Sequence, residues 1–123
     1  GDLGGNQAKS DYGLYGPDKL NLHSIWDGYL AERAISTPPA LVRGYSPTER
    51  ATAAAGTVED WSRDSWQVAR DTVYASAFGD PCVANPPRAQ LADATIAKLV
   101  GPARDQIIKG GLRLARLLDE AFG

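Results

Sequence analysis

His23 is the only histidine of the chain, and Asp27 follows it by four residues in a stretch with helical periodicity. On a helix, positions i and i+4 stand above one another with Cβ atoms about 5–6 Å apart. An imidazole nitrogen and a carboxylate oxygen so placed can reach a single cation, and zinc accepts both ligand types with bonds of about 2 Å. Two ligands do not complete a tetrahedral site, which needs at least one more protein ligand. Taken alone, the same pair also reads as a hydrogen bond on the surface of a helix. The chemistry therefore has to be judged from what surrounds the pair.

The element that must carry it is a helix from about Leu22 to Ala34. Asn21 stands at its N-cap, and Leu22, Ile25, Trp26, Tyr29 and Leu30 recur at helical spacing. Before it, Gly4-Gly5-Asn6, Tyr12-Gly13 and Gly16-Pro17-Asp18 are turn signals, so residues 1–20 read as loop or a short hairpin. After it, Pro38-Pro39 forces extended chain. Ser46-Pro47-Thr48-Glu49 reads as a capping box with proline at the first helical position, opening a short helix to Ala55. Thr57, with Asp60 three residues on, opens a longer helix to about Phe78, with Val58, Trp61, Ser65, Val68, Ala69 and Thr72 on one face. A Pro-rich loop with Cys82 follows. Helix is expected again from about Arg88 to Val100, a break at Gly101-Pro102, and a final helix with Ile107, Ile108, Gly111, Leu114, Ala115 and Leu118 on one stripe. Trp26, Trp61 and Trp66 have the spacing of core residues. The fold class is all-α, with an irregular or hairpin start.

A chain of 123 residues supports one modest domain, or part of one. A formal net charge of −2 argues against affinity built on phosphate neutralisation alone, since that mode needs clustered lysine and arginine. Metal ions holding the phosphate would remove the objection. The apolar stretches are interrupted well before the roughly 20 residues of a membrane span, so no membrane partner is expected. Cys82 is the only cysteine, which rules out an intrachain disulfide and a Cys-rich zinc site. It reads as a buried or half-buried thiol.

Asn21-Leu22-His23-Ser24-Ile25-Trp26-Asp27, preceded by Asp2-Leu3-Gly4-Gly5-Asn6, resembles a paired signature of the S-one/P-one type zinc-dependent nucleases, a family related in fold to bacterial zinc phospholipase C. Two further matches keep that family's order. Trp61, Asp64, Ser65, Ala69 and Tyr74 resemble its Trp-x-x-Glu-Ser helix, with aspartate in place of glutamate. Gly111-Leu112-Arg113-Leu114-Ala115, followed by Leu117-Leu118, resembles its closing helix.

The resemblance implies a mostly helical enzyme with three zinc ions at the bottom of a cleft, one of them held by His23 and Asp27. It also implies that the third ligand of that zinc, the other two sites and the catalytic residues lie upstream of this chain. Residues 1–123 are accordingly expected to be the C-terminal part of a single nuclease domain. The implied activity is hydrolysis of single-stranded DNA or RNA to 5′-phosphorylated products, with 3′-nucleotidase activity, in a secreted or periplasmic enzyme. Gly28 and Tyr29 follow the ligand aspartate where family members place residues of a base-binding pocket; tyrosine replaces the common asparagine, which puts that contact in question. Asp2 and Asn6 read as turn residues or as support behind the ligands, and Arg113 as an ion-pairing or snorkelling residue. The alternatives are a lipid hydrolase of the phospholipase C kind, or a helical interaction domain in which His23 and Asp27 are surface residues.

Overall fold

A computed structural model describes residues 3–12 and 20–123. Helix α1 covers residues 22–36: α-helical over Leu22–Ser24, π-helical over Ile25–Leu30 and α-helical again over Ala31–Ser36. Asn21 caps it as expected, its side chain accepting from the Ser24 N–H at 2.8 Å while Ser24 Oγ accepts from the Asn21 N–H at 3.1 Å. Helix α2 is Pro47–Ala53, and helix α3 covers residues 58–78 with a π-helical stretch at Ala69–Tyr74. Both begin with the capping boxes read from sequence, Ser46 with Glu49 and Thr57 with Asp60.

Two helix boundaries differ from those expected, at Arg88 and at Gly101-Pro102. Strand β1, Ser10–Tyr12, pairs in parallel with strand β2, Ala89–Leu91, and an isolated antiparallel Lys9–Asn21 bridge runs back along its own end of the chain. The residues after Arg88 are therefore strand first and helix only from Asp93. Helix α4 then runs without a break over Asp93–Phe122, through Gly101 and Pro102. Proline inside a helix removes one N–H and crowds the carbonyl four residues earlier. Here Ile96, Leu99, Val100 and Ala103 are all buried around it, so tertiary packing outweighs the local penalty. The turns expected at Gly13 and at Gly16–Asp18 lie outside the described residues, as does Asp2.

The core is one cluster in which α1, α4 and the front segment meet, with Ile25, Leu30, Ile96 and Leu99 essentially solvent-free. Arg104 of α4 fixes the far end of α1, donating to the Ala34 carbonyl at 2.7 Å and also to the carbonyls of Thr37 and Pro39. The tryptophans divide. Trp61 is buried and Trp26 half-buried, but Trp66 is exposed, with the Arg70 guanidinium 4.4 Å from its ring centre. Cys82 is likewise exposed, not buried, because the Pro-rich loop runs over the surface. Among the described residues no helix is long and apolar enough to cross a membrane.

Candidate metal centre

The turn before β1 sets the site. Leu3, Gly4 and Gly5 all have positive φ, at 56°, 64° and 89°, a conformation glycine adopts without the clash other residues meet. Asn6 ties the turn with its amide donating to the Leu3 carbonyl at 2.9 Å, which is the turn role expected of it. Gly5 is also pinned from outside: a Cβ there would come within 3.1 Å of the His23 backbone nitrogen. The close approach lets the Gly5 carbonyl accept from the His23 N–H at 3.4 Å, and the Ala8 carbonyl accept from the Leu22 N–H at 2.9 Å. The first turn of α1 is thus stitched to the front segment, which β2 holds from its other side.

This geometry decides the state of the imidazole. His23 Nδ1 lies 3.0 Å from the Gly4 carbonyl oxygen. A carbonyl only accepts, so Nδ1 carries the hydrogen, and a ring with no second proton presents its lone pair at Nε2. That lone pair faces Asp27 Oδ2 across 3.1 Å. Two acceptor atoms at this separation need positive charge between them, either a second proton on the ring or a cation shared by both. Ligand atoms each about 2.0–2.1 Å from one tetrahedral ion stand about 3.3 Å apart, so the spacing fits a common metal. A backbone carbonyl behind the distal nitrogen is also the usual means of orienting a metal-binding histidine.

His23 and Asp27 stand at the side of a cavity of about 340 Å³, with Gly4, Gly5, Leu22 and Trp26 at one end. Its other wall comes from α3 and α4, through Ser65, Val68, Ala69, Val73, Tyr74 and Gln106. The side chains of His23 and Asp27 are 43% and 62% exposed, which leaves the pair open to a further ligand. The described residues contain no group of three or more His, Cys, Asp or Glu side chains able to hold a metal. Both π-helical stretches contribute to this cavity, Trp26 and Asp27 from the first and Ala69, Val73 and Tyr74 from the second. Such bulges are frequent at functional sites.

The family model described as S1/P1 Nuclease matches residues 1–123, the entire chain. The chain belongs to the S1/P1 nuclease family. No curated protein and no solved structure is significantly similar to it. Membership points to a nuclease, hence a hydrolase, in a family that is generally zinc-dependent and typically secreted.

Other residues of this S1/P1 family member divide between scaffold and site. Arg113 donates to Asp64 at 2.9 Å and to the Ala53 carbonyl at 3.2 Å, and Lys109 reaches Asp64 at 3.3 Å. Partial burial raises the Asp64 carboxyl, but the hydrogen bonds and charges of Arg113 and Lys109 outweigh it and hold the group below its usual range. This cluster joins α3 to α4 and does not line the cavity. Tyr29 is half-buried, its ring centre 6.0 Å from that of Tyr12, and Gly28 is exposed with nothing within 4 Å of a Cβ built on it. Neither lines the cavity, so the sequence-predicted pair is not brought together with His23 and Asp27 there. Sequence reasoning gave Ser65 to a packing face and passed over Gln106 entirely. No local signal marks a glutamine on the middle of a helix; its place in the cavity of His23 and Asp27 arises only when α4 packs on α3.

Proposed function

We propose that this chain is the C-terminal part of a zinc-dependent phosphodiesterase, in which His23 and Asp27 are two ligands of one zinc and the remaining ligands come from polypeptide outside residues 1–123. The observation that carries this reading is the 3.1 Å approach of Nε2 to Asp27 Oδ2 at the side of the cavity, while Nδ1 lies 3.0 Å from the Gly4 carbonyl. Zinc, when bound, supplies Lewis acidity toward a phosphate and activation of water near neutral pH. The chain's own residues do the orienting. The Gly4 carbonyl holds the ring in the tautomer with Nε2 free, and the Gly5 carbonyl anchors the His23 backbone. Asp27 brings the negative charge that complements a dication.

The substrate class we propose is single-stranded DNA or RNA and 3′-nucleotides, cleaved between phosphorus and the 3′ oxygen to leave 5′-phosphorylated products from the polymer. An apolar and aromatic cavity next to the metal pair supports this, because an unpaired base can enter it and a stacked, paired base cannot. We propose further, by analogy with the family, three zinc ions in the complete enzyme, of which this chain contacts one, and a secreted or periplasmic location. Exposed Gly28 and the adjoining edge of Tyr29 are proposed as a minor substrate contact on the open side of Asp27.

The test is to offer the full-length protein a 3′-nucleotide, single-stranded DNA and phosphatidylcholine. Hydrolysis of the first two is expected, and activity on the lipid alone would reverse the assignment. The isolated chain is expected to bind zinc weakly and to hydrolyse little, because it supplies a minority of the ligands. Robust turnover by the isolated chain contradicts the proposed division of the site.

A further inference from the structure

We infer that Gln106 is a substrate-contacting residue of the His23/Asp27 cavity, turning its amide to hydrogen-bond an acceptor on the edge of an unpaired nucleobase. This rests on the proposed nuclease reading and adds a specificity residue to it. Gln106 Oε1 accepts from Ser65 Oγ at 3.3 Å, and both residues belong to the cavity wall. Among the described residues the other end of the amide has no such partner: Nε2 is buried and makes no hydrogen bond. A buried amide donor without an acceptor is an unfavourable arrangement that native structures seldom keep without a use.

The surroundings say what would relieve it. Besides His23, Asp27, Ser65 and Tyr74, the wall is apolar or aromatic, with Leu22, Trp26, Val68, Ala69 and Val73. A cavity of several hundred Å³ with such walls and a few polar groups is built for a largely apolar ring that carries its own hydrogen-bonding edge. Charged groups nearby on α4 are already engaged, Lys109 and Arg113 with Asp64, and Gln106 offers that wall a neutral donor. The torsion that carries a glutamine amide is broad and costs little to turn. An incoming base with a carbonyl or ring nitrogen at its edge would therefore draw Nε2 out of the wall. Only an unpaired base has that edge free.

The experiment compares the full-length protein with Q106L, which removes the amide, and Q106E, which keeps its shape and its acceptor but not its donor. Nucleoside binding is read in the metal-stripped protein from the fluorescence of the cavity tryptophan, using uridine and adenosine as probes. Zinc content and the KM and kcat for the four 3′-nucleotides are read in the loaded protein. Both variants are expected to weaken nucleoside binding about fivefold, the value of one hydrogen bond, to raise KM more than they lower kcat, and to keep wild-type zinc content. Unchanged nucleoside binding in either variant, or loss of zinc, overturns the inference and makes Gln106 a packing residue. A wild-type protein that binds nucleosides through Gln106 yet hydrolyses no phosphodiester would instead overturn the proposed activity and leave the contact standing.

Discussion

The two halves of helix α4 are built differently. Its first half buries Ile96, Leu99, Val100 and Ala103 against the helix that carries His23 and Asp27. Its second half leaves Leu114, Leu117, Leu118 and Phe122 between 40% and 85% exposed. It is secured mainly by arginines, with Arg113 reaching the Ala53 carbonyl and Arg116 the carbonyls of Ala54 and Gly56 at 2.6 and 2.8 Å. One end of the helix is thus held by dry packing and the other by polar contacts at the surface. His23 and Asp27, themselves 43% and 62% exposed, stand on the helix that the packed end supports.

The largest test of that contrast is at the pair itself. In the full-length protein, His23→Ala is expected to remove one zinc per chain and at least about 100-fold of activity, since even residues behind metal ligands are worth about 10–100-fold. Metal analysis and 3′-nucleotidase rates check it, with unfolding nearly unaffected because the imidazole is half-exposed. Next comes packing. Leu99→Ala should cost about 2–5 kcal/mol, whereas Leu114→Ala at the open end should change stability by less than about 0.5 kcal/mol. Equal urea midpoints for the two would erase the distinction between the halves.

Gly5→Ala is a smaller and more local probe. It places a Cβ at φ 89° and 3.1 Å from the His23 nitrogen, and should cost about 1–3 kcal/mol in backbone strain. Its signature should be a change in the His23 ring resonances by NMR larger than the change at any residue of α2.

The smallest effect concerns pH at the cap of α2. Arg43 chiefly, with the Ser46 backbone and side chain, lowers the Glu49 carboxyl from its ordinary 4.5 to about 2. A group depressed in the folded state contributes stability that is whole above its ordinary value and fades as pH falls from there through the folded one. Protection of the α2 amides, taken relative to the intrinsic exchange rate at each pH, should therefore fall between about pH 4.5 and 2, with Glu49→Gln abolishing most of that dependence. The core around Leu99 should not follow it.

Local rules made much of this legible. Asn21, Ser46 with Glu49, and Thr57 with Asp60 each announce a helix start through hydrogen bonds that span three residues, and each cap forms as read. The four-residue step from His23 to Asp27 put two side chains together before any tertiary contact was known. What sequence hid depends on distant partners. β2 read as helix because the strand it pairs with, β1, lies near the other end of the chain. Gly101-Pro102 looked like a break because the burial that overrides it comes from α1. Trp66 and Cys82 were assigned inward from residue type, although a helix face and a loop surface decided otherwise. Gln106 gave no signal, since an unpaired amide exists only once a wall has formed around it.

The parallel ribbon bears on how the protein is born. Asp11 and Gln90, joined across it, are 79 residues apart. At a synthesis rate of about 5–20 residues per second, the glycine turn has emerged for several seconds before the strand that clamps it leaves the ribosome. Until then the front segment holds to α1 through the Gly5–His23 and Ala8–Leu22 hydrogen bonds, without its second clamp.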